Sequence, residues 1–410
     1  MVPWIGSRTR TDTHYLTKTA FWDDRTVRGS EVLPVRPMRI AILHNSDYDV
    51  LKEDPGREAR KDVLRVAGAL SDALMQKGIR AESLAIGADS FTFLEALRVR
   101  KPQLVINLCE SLGGDSRGEM TVPCLLELMG ISYTGSSSLA LGLALHKDKA
   151  KQLLQARSIP TPEFAMINRL DEIASVGLPF PLIVKPVRED ASVGVDFDSV
   201  VCSRQELRRA TDQVHRQFQQ AAIVERFIYG REIYVALLGN QPRRILPLTE
   251  IQFGKAFENR PNILSYRAKW DLSSSECIDS PSRRCALDPD TEAKVVEVAV
   301  AAFEALDCRD YGRVDVRLSA DGQPYVIDVN PNCDLHPDAG FAQSAAAAGI
   351  DYSALAQQIV EIALSRSHGN SSNRRPGSQR TRRAAGPNRD LLSSRGQLRP
   401  RAYRSRAEAE

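Results

Sequence analysis

The chain has 410 residues, a formal net charge of +3 and 42% hydrophobic residues, so it can bury a large core divided into two or three lobes. It holds no run of eighteen apolar residues, which argues against a membrane span. Its seven cysteines form no Cys-x-x-Cys pair of the kind that binds zinc. We therefore expect a cytoplasmic protein with reduced thiols and no membrane partner.

The two ends of the chain differ in composition from its middle. Residues 1–37 lack hydrophobic periodicity, and residues 365–410 are rich in Arg, Ser, Gly and Pro. Both segments are predicted to be disordered because they offer few apolar side chains for packing. The arginine-rich tail lacks the interleaved aromatic residues of a single-strand platform, so nucleic acid is not expected as a partner.

The first part of the middle region alternates short apolar runs with amphipathic stretches. This alternation is typical of a parallel α/β lobe, which we place at residues 38–136. Strands are predicted at 38–45, 81–86 and 104–108, and helices at 56–78, 90–100 and 122–129.

A basic segment follows at residues 146–164, after a helix that is predicted to begin near Ser137. The segment predicts a second helix, which ends before Pro160. Its lysines, among them Lys149, either form a solvated face or bind an anion that later segments bring to them.

The sequence PLIVKPVREDASVGVDF at residues 181–197 predicts a strand that ends at Lys185, a loop around Ser192, and a second strand that begins after Gly194. Such a loop could close over phosphate groups. An ordinary hairpin loop would give the same pattern, so this segment alone leaves both alternatives open.

The sequence AAIVERFIYGREIYVALLGN at residues 221–240 predicts two strands joined by a turn at Tyr229 and Gly230. Glu225 lies at the end of the first strand and Glu232 lies just beyond the turn. Acids at the end of a hairpin are most simply structural.

Residues 313–332 form two alternating runs that are predicted to fold back on each other across Asp321-Gly322, as a two-residue hairpin loop. With that loop, Asp315 lies opposite Asp328, and both side chains point to one face of the hairpin. Two facing carboxylates destabilise a strand pair, so the arrangement requires a cation.

Two kinds of cation would satisfy this requirement. Arg313 and Arg317 on the same face could neutralise the carboxylates, or the oxygen ligands could bind Mg²⁺ or Mn²⁺ together with Asn330, which lies opposite Arg313. The other face of the hairpin is apolar and is expected to pack on a core, as beneath the floor of an active site. Its residues are Val314, Val316, Leu318, Ile327 and Val329.

Six motifs follow one another along the chain: YTGSS at 133–137, HKDK at 146–149, VKPVREDASVG at 184–194, VERFIYGRE at 224–232, YGRVDV at 311–316 and IDVNPN at 327–332. In this order they resemble the ATP-grasp carboxylate–amine ligases and, within them, the D-alanine–D-alanine ligase family. The resemblance covers most of residues 38–364. It implies an ATP-grasp fold of α/β and α+β class, in which the N-terminal parallel α/β lobe is followed by two α+β lobes, 137–230 and 231–364, that enclose ATP.

The resemblance also implies roles for individual residues. Lys269 and Arg313 would meet the transferred phosphoryl group, and Ser192, in the loop over the phosphates, would be a third catalytic residue. The ATP ligands would be Lys149 and Lys185 at the phosphates, Glu225 and the Phe227 backbone at the adenine, and Glu232 at the ribose. Two Mg²⁺ or Mn²⁺ ions would bind Asp315, Asp328 and Asn330.

The implied reaction is ATP-dependent amide formation through an acyl phosphate that an amine attacks, with amino acids or short peptides as substrates. Positioning and electrostatics would carry most of the catalysis. The alternative is a catalytically silent ATP-binding regulatory protein of the same fold. The chain could also form a homodimer.

The residues at the amino-acid end depart from the family pattern, so D-alanine specificity does not carry over. Ala339 stands near the place of a serine that holds the second substrate's carboxylate, and Cys109-Glu110 replaces His-Gly. We expect an acceptor amine that is neutral or cationic at this end. Asp338 is either its partner or a helix N-cap, and Glu110 is a candidate for the first substrate's amino group.

Overall fold

The computed structural model describes residues 38–46, 56–87 and 90–372. The predicted disordered segment at 1–37 and residues 373–410 of the predicted tail lie outside these ranges. The predicted start of the tail at residue 365 is corrected, because the last helix begins at Tyr352 and continues to Ser372. Among the described residues, no helix combines the length and hydrophobicity needed to cross a membrane.

The N-terminal lobe contains a four-stranded parallel sheet with the strand order β2-β1-β3-β4. The limits of the three predicted strands and the three predicted helices match the sequence-based prediction to within two residues. The elements are β1 (Ile40–Asn45), α1 (Arg57–Gln76), β2 (Ala81–Ile86), α2 (Ser90–Arg100), β3 (Leu104–Asn107), α3 (Thr121–Leu128) and β4 (Ser132–Tyr133).

A small lobe follows, with a second sheet of order β5-β8-β6-β7 and antiparallel pairing. One helix, α6, covers this sheet, and Leu207 and Val214 are buried against it. The elements up to the end of this lobe are α4 (Ser138–Leu145), α5 (Lys147–Ala156), β5 (Phe164–Ile167), β6 (Leu182–Pro186), β7 (Val200–Val201), α6 (Arg204–Phe218) and β8 (Ala222–Arg226).

The third lobe is built on an antiparallel sheet of order β12-β11-β9-β13-β14, with β10 paired to β9. Its apolar face packs on α9, as expected for a face that packs on a core. The elements are β9 (Gly230–Leu238), β10 (Arg244–Ile245), β11 (Thr249–Ile251), α7 (Tyr266–Trp270), α8 (Ser275–Ile278), β12 (Ser282–Arg284), α9 (Pro289–Ala305), β13 (Tyr311–Ser319), β14 (Pro324–Asn330), α10 (Gly340–Ala347) and α11 (Tyr352–Ser372).

The predicted hairpin at residues 221–240 is wrong. Strand β8 pairs with β5 and β6, whereas β9 pairs with β11 and β13, so the intervening residues cross from one sheet to the next. Gly230 is required at this crossing, since its φ is +146° and a Cβ there would lie 1.9 Å from the Leu318 carbonyl oxygen.

The hairpin of β13 and β14 has the predicted register at its functional end but not at its tip. Asp315 pairs with Asp328, yet the loop has three residues rather than two, and the Ser319 amide donates to the Gln323 carbonyl. A bulge at Ile327 compensates for the extra loop residue. The bulge also reverses one prediction, because Val326 is buried in the core in place of Ile327.

The apolar cores do not follow the predicted lobe limits. Helices α4 and α5, within the predicted small lobe, contribute Ala140 and Leu154 to the core beneath β9, β13 and β14. Helices α10 and α11, from the C-terminal part, share a core with α1 and one face of the N-terminal sheet. The domain limits stay a prediction.

Candidate active site

Two neighbouring cavities lie beside the polar face of the β13–β14 hairpin. The first encloses about 1090 Å³, part of it open to solvent, and we name it the acidic cavity because Glu110, Glu119 and Asp334 line it. The second encloses about 780 Å³, and we name it the lysine cleft because Lys147 and Lys185 line it.

The two cavities share a wall. Lys269, Arg313 and Asn330 line both of them, as does Asp190 from the loop after β6. A group transferred between ligands in the two cavities would therefore pass between these side chains.

Arg313 neutralises one of the two facing aspartates. Its Nε and Nη2 donate to the two carboxylate oxygens of Asp315 at 2.6 and 2.9 Å, and its guanidinium lies 4.2 Å from the centre of the Tyr234 ring. This bidentate pair fixes Arg313 in the shared wall. Arg317, the other predicted partner, pairs instead with Glu232 at 2.8 Å.

Asp328, the second aspartate, has a weaker partner. The Lys147 ammonium lies 3.9 Å from Asp328 Oδ2, but it lies closer to Asp190 Oδ1, at 3.0 Å, and to the Glu189 carbonyl, at 2.6 Å. Desolvation raises the pKa of Asp328, Lys147 opposes this shift, and the charge of Asp190 adds to it. Additional positive charge would therefore be stabilised beside Asp328.

The predicted placement of Lys149 is corrected. Its side chain is 56% exposed and pairs with Asp148 on the outer face of α5. Lys147 and Lys151, which lie one turn apart, face inward and are almost fully buried. Because residues four apart share a helix face and residues two apart do not, the helical period could have separated the two sets.

Glu225 lies behind the lysine cleft between two ammonium groups. Its Oε2 is 3.3 Å from Lys151 Nζ and 3.3 Å from Lys185 Nζ, whereas its buried Oε1 has no hydrogen-bond partner among the described residues. Burial favours the neutral form of this carboxyl, but Lys151 and then Lys185 outweigh it and lower its pKa.

Two other predicted nucleotide ligands are also placed. Glu232 lines the lysine cleft and accepts from Arg317 and from the Tyr234 hydroxyl, at 3.1 Å. The Phe227 amide donates to the Pro181 carbonyl at 3.0 Å, so the backbone prediction for Phe227 is restricted to its carbonyl oxygen.

The loop after β6 closes over the shared wall. Ser192 lines the lysine cleft, and its hydroxyl donates to the Leu264 carbonyl at 2.8 Å. The Trp270 indole donates to the Ala191 carbonyl at 2.9 Å. The predicted second strand after Gly194 is corrected, since it begins only at Val200. The sequence around Trp270 carries no local signal of this loop contact, because the contact joins distant segments.

Lys269 stands beside this loop. Its ammonium lies 5.1 Å from the Trp270 ring centre. Desolvation, and then the charge of Arg313, lowers the pKa of Lys269.

The structure places Asp338 outside the acidic cavity, contrary to its predicted role as a partner of the acceptor amine. The Asp338 side chain is 89% exposed and does not line the cavity. Helix α10 is preceded by Ala339, without a side-chain cap, so the N-cap prediction for Asp338 is also wrong. Asp334 lines the cavity instead, as Glu110 does.

The residues fit a divalent metal by their chemistry. Among the described residues no three His, Cys, Asp or Glu side chains form a metal cluster by themselves. Asp328 and Asn330 nevertheless offer hard oxygen ligands, and a cation would offset the desolvation that raises the pKa of the Asp328 carboxyl. Asp315 keeps two lone-pair sites beyond its bonds to Arg313.

The comparisons with known proteins agree with this geometry. A family model described as D-ala D-ala ligase C-terminus matches residues 153–361. Over 309 residues the chain is 32% identical to a D-alanine–D-alanine ligase of Chromohalobacter salexigens, covering 75% of this chain and 91% of that one. Over 347 residues it is 36% identical to "Uncharacterized protein y4sG" of Sinorhizobium fredii, covering 81% and 99%.

A solved structure shows the same fold. The D-alanine–D-alanine ligase from Bacillus anthracis, complexed with ATP, gives a TM-score of 0.63 at 22% identity, covering 81% of this chain and 99% of that chain. The sheets described above are those of the expected ATP-grasp fold. The chain therefore belongs to the D-alanine–D-alanine ligase family of ATP-dependent ligases.

Proposed function

We propose that this chain transfers the γ-phosphoryl group of ATP to a substrate carboxylate and joins the resulting acyl phosphate to an amine. The observation that carries the proposal is the shared wall, where Lys269 and Arg313 face both cavities. ATP would occupy the lysine cleft, and the carboxylate and the amine would occupy the acidic cavity.

The nucleotide would be held by charged side chains and by two hydrogen-bond acceptors at its base. Lys147, which replaces Lys149 in this role, and Lys185 would bind its phosphates, and Glu232 would bind its ribose. Glu225 would accept from the adenine amino group through its unpartnered Oε1. The Phe227 carbonyl would be a second acceptor at the base.

Asp315, Asp328 and Asn330 would hold the divalent ions. When bound, these ions neutralise the phosphate oxygens during phosphoryl transfer. Lys269 and Arg313 would stabilise the charge that develops on the transferring group, and both are fixed before substrate binds, Arg313 by Asp315 and Lys269 beside Trp270. Ser192 would hold the loop closed over the wall through Leu264.

We propose that D-alanine is not the preferred acceptor. A bound carboxylate needs donors, and the far end of the acidic cavity offers Glu110, Glu119 and Asp334 instead. Ala339 has no hydroxyl to supply a donor bond. Substrates with amino groups at this end fit its charge.

A screen for ADP release tests the function. Purified protein with ATP and Mg²⁺ is given pairs of carboxylates and amines, D-alanine included, and products are identified by mass. We expect amide product with at least one pair, and its loss in Arg313→Ala. Arg283→Ala, an exposed residue on β12, is the matched control and should retain activity.

One observation favours the silent alternative: Asp315, a predicted metal ligand, is already bonded twice to Arg313. A regulator would bind ATP with Mg²⁺ and release no ADP with any pair. Nucleotide binding without ADP release across the whole screen would therefore replace the ligase proposal.

A further inference from the structure

The acidic cavity contains a buried carboxyl group that the chemistry above does not use. Glu119 is 7% exposed and lines the cavity. The Asn332 amide donates to Glu119 Oε1 at 3.0 Å and to the Cys109 carbonyl at 3.0 Å. The second carboxyl oxygen, Oε2, forms no hydrogen bond with any residue that the structure describes.

The backbone around Glu119 holds this carboxyl in place. A short 3-10 turn at Ser116–Gly118 is capped by Asp115, and the Glu119 amide donates to the Ser116 carbonyl at 3.0 Å. A Cβ at Gly118 would lie 2.4 Å from Leu112 Cβ, so only glycine fits before Glu119. The segment therefore presents the carboxyl to the cavity in one position.

No lysine, arginine or histidine pairs with Glu119 in the part of the chain that the structure describes. Its electrostatic neighbours are Asp190 and Glu110, and both of these acids add to the effect of burial in raising its pKa. A buried carboxylate is costly without a positive partner. Its surroundings therefore favour a cation as ligand.

Other charged side chains also line the acidic cavity. Its lining cations, Lys269 and Arg313, lie on the wall toward the lysine cleft, and Arg313 is already paired with Asp315. Asp334 lies in the same lining, and its carboxylate accepts from the His336 amide at 2.7 Å. The cavity thus offers cations at the shared wall for an anion and, in Glu119 and Asp334, acids that would attract a cation.

We propose that Glu119 binds a second, positively charged amino group of the acceptor, so that the acceptor class is a diamine or a basic amino acid. The acceptor's first amino group would react at the shared wall, while the second would remain protonated at Glu119. The inference rests on the proposed function for the reaction, but the binding it describes can be measured without turnover.

Calorimetric titration of wild-type protein with 1,4-diaminobutane and with the uncharged 1,4-butanediol, in the presence of Mg²⁺ and ADP, is the direct test. The two probes share a four-carbon chain with a polar group at each end and differ in their charge. A charge-assisted bond predicts that the diamine binds about tenfold to a hundredfold more tightly. Glu119→Gln keeps the side-chain shape, and we expect it to remove this difference. Asp338→Asn, an exposed acid outside the cavity, should retain it.

Equal affinity of the wild-type protein for the two probes would overturn the inference, and this comparison does not depend on the folding of any variant. A preference for the diamine that survives in Glu119→Gln would overturn it as well. A measurement of ADP release and of the ligation product distinguishes a failure of this inference from a failure of the proposed function. Glu119-dependent diamine binding without ADP release supports the site and rejects the ligase, whereas D-alanine ligation without diamine preference supports the ligase and rejects the site.

Discussion

Asp315 lies directly opposite Asp328 on neighbouring strands, and a different cation neutralises each carboxylate. Arg313 bonds to Asp315 through two nitrogens, whereas the Lys147 ammonium lies 3.9 Å from Asp328 and closer to Asp190. Asp328 is therefore the aspartate whose surroundings would change most when a divalent ion binds.

Asp328→Ala and Asn330→Ala are expected to lower kcat by about a hundredfold or more, because each removes an oxygen from the phosphoryl-transfer site. The melting temperature should change little in Asp328→Ala, since Lys147 keeps its pair with Asp190. ADP release and thermal unfolding measure the two effects. Asp321→Ala, at the solvated tip of the same hairpin, is the control, and an unchanged kcat in Asp328→Ala would show that this face is structural.

Removal of divalent metal is expected to abolish nucleotide binding. Phosphate groups in the lysine cleft would bring negative charge close to Asp315 and Asp328, and this repulsion is relieved by Mg²⁺ or Mn²⁺. Titration of ATP with and without EDTA measures the effect. Equal affinity in both conditions would contradict a metal role for the two aspartates.

Lys147→Met and Lys149→Met form a matched pair on one helix. We expect the first to raise KM for ATP by about tenfold or more, since a charge-assisted phosphate contact is lost, and the second to leave KM unchanged. The two side chains point in different directions: that of Lys147 is 9% exposed in the cleft, whereas that of Lys149 is 56% exposed on the outer face of the helix. The opposite result would restore Lys149 as the phosphate ligand.

Arg366 on α11 is expected to stabilise the contact between that helix and the N-terminal lobe. Its guanidinium donates to the Tyr133 carbonyl at 2.6 Å and pairs with the fully buried Asp310 at 3.1 Å. Arg366→Ala should therefore cost about 1–3 kcal/mol of unfolding free energy. A chain that ends after Leu364 should lose at least as much, whereas one that ends after Ser372 should melt like the full chain.

Denaturant unfolding measures these differences, and Arg98→Ala provides the comparison. Arg98 forms an exposed pair with Glu95, and exposed pairs contribute little. Loss of stability in the chain that ends after Ser372 would show that residues beyond the helix also pack on the folded part.

Glu119 predicts a pH dependence of stability. Its pKa in the folded protein is raised well above the value of 4.5 expected when unfolded, so protonation of Glu119 favours folding. This contribution is fully present below pH 4.5 and is lost as the pH rises through the folded pKa. Glu119→Gln does not titrate, so its melting temperature should rise relative to wild type as the pH increases from 4.5 to about 8. Asp338→Asn should follow the wild type, and parallel curves for Glu119→Gln and wild type would contradict the shift.

The sequence predicts an element of this fold well where one periodicity governs a whole segment, as in α1. The predicted pairing of Asp315 with Asp328 is correct, but the predicted loop length is not. The loop is one residue longer, and the bulge at Ile327 shifts the register back by one residue. A bulge depends on packing from both sides, and strand alternation alone does not reveal it.

The differences between prediction and structure at the site share one physical origin. The resemblance implies Lys149 as a phosphate ligand, whereas the direction of its side chain depends on which face of α5 meets the core. The pairing partners of β8 and β9 depend on contacts between distant segments, so the turn at Tyr229 and Gly230 suggested a hairpin that does not form. Glu119 gave no local signal, because its partner Asn332 lies more than two hundred residues away.

The core shared by the N-terminal lobe and α11 has a consequence for folding during synthesis. The part of the apolar surface of α1, β1 and β3 that α11 covers stays exposed until Leu355, Ile359 and Ala363 have been translated. At ordinary rates of synthesis, the stretch from residue 136 to residue 363 takes roughly 10 to 45 s. During that interval the growing chain presents an apolar surface that its own C-terminal helix will later cover. Chaperones that bind nascent chains therefore have the longest access to this surface.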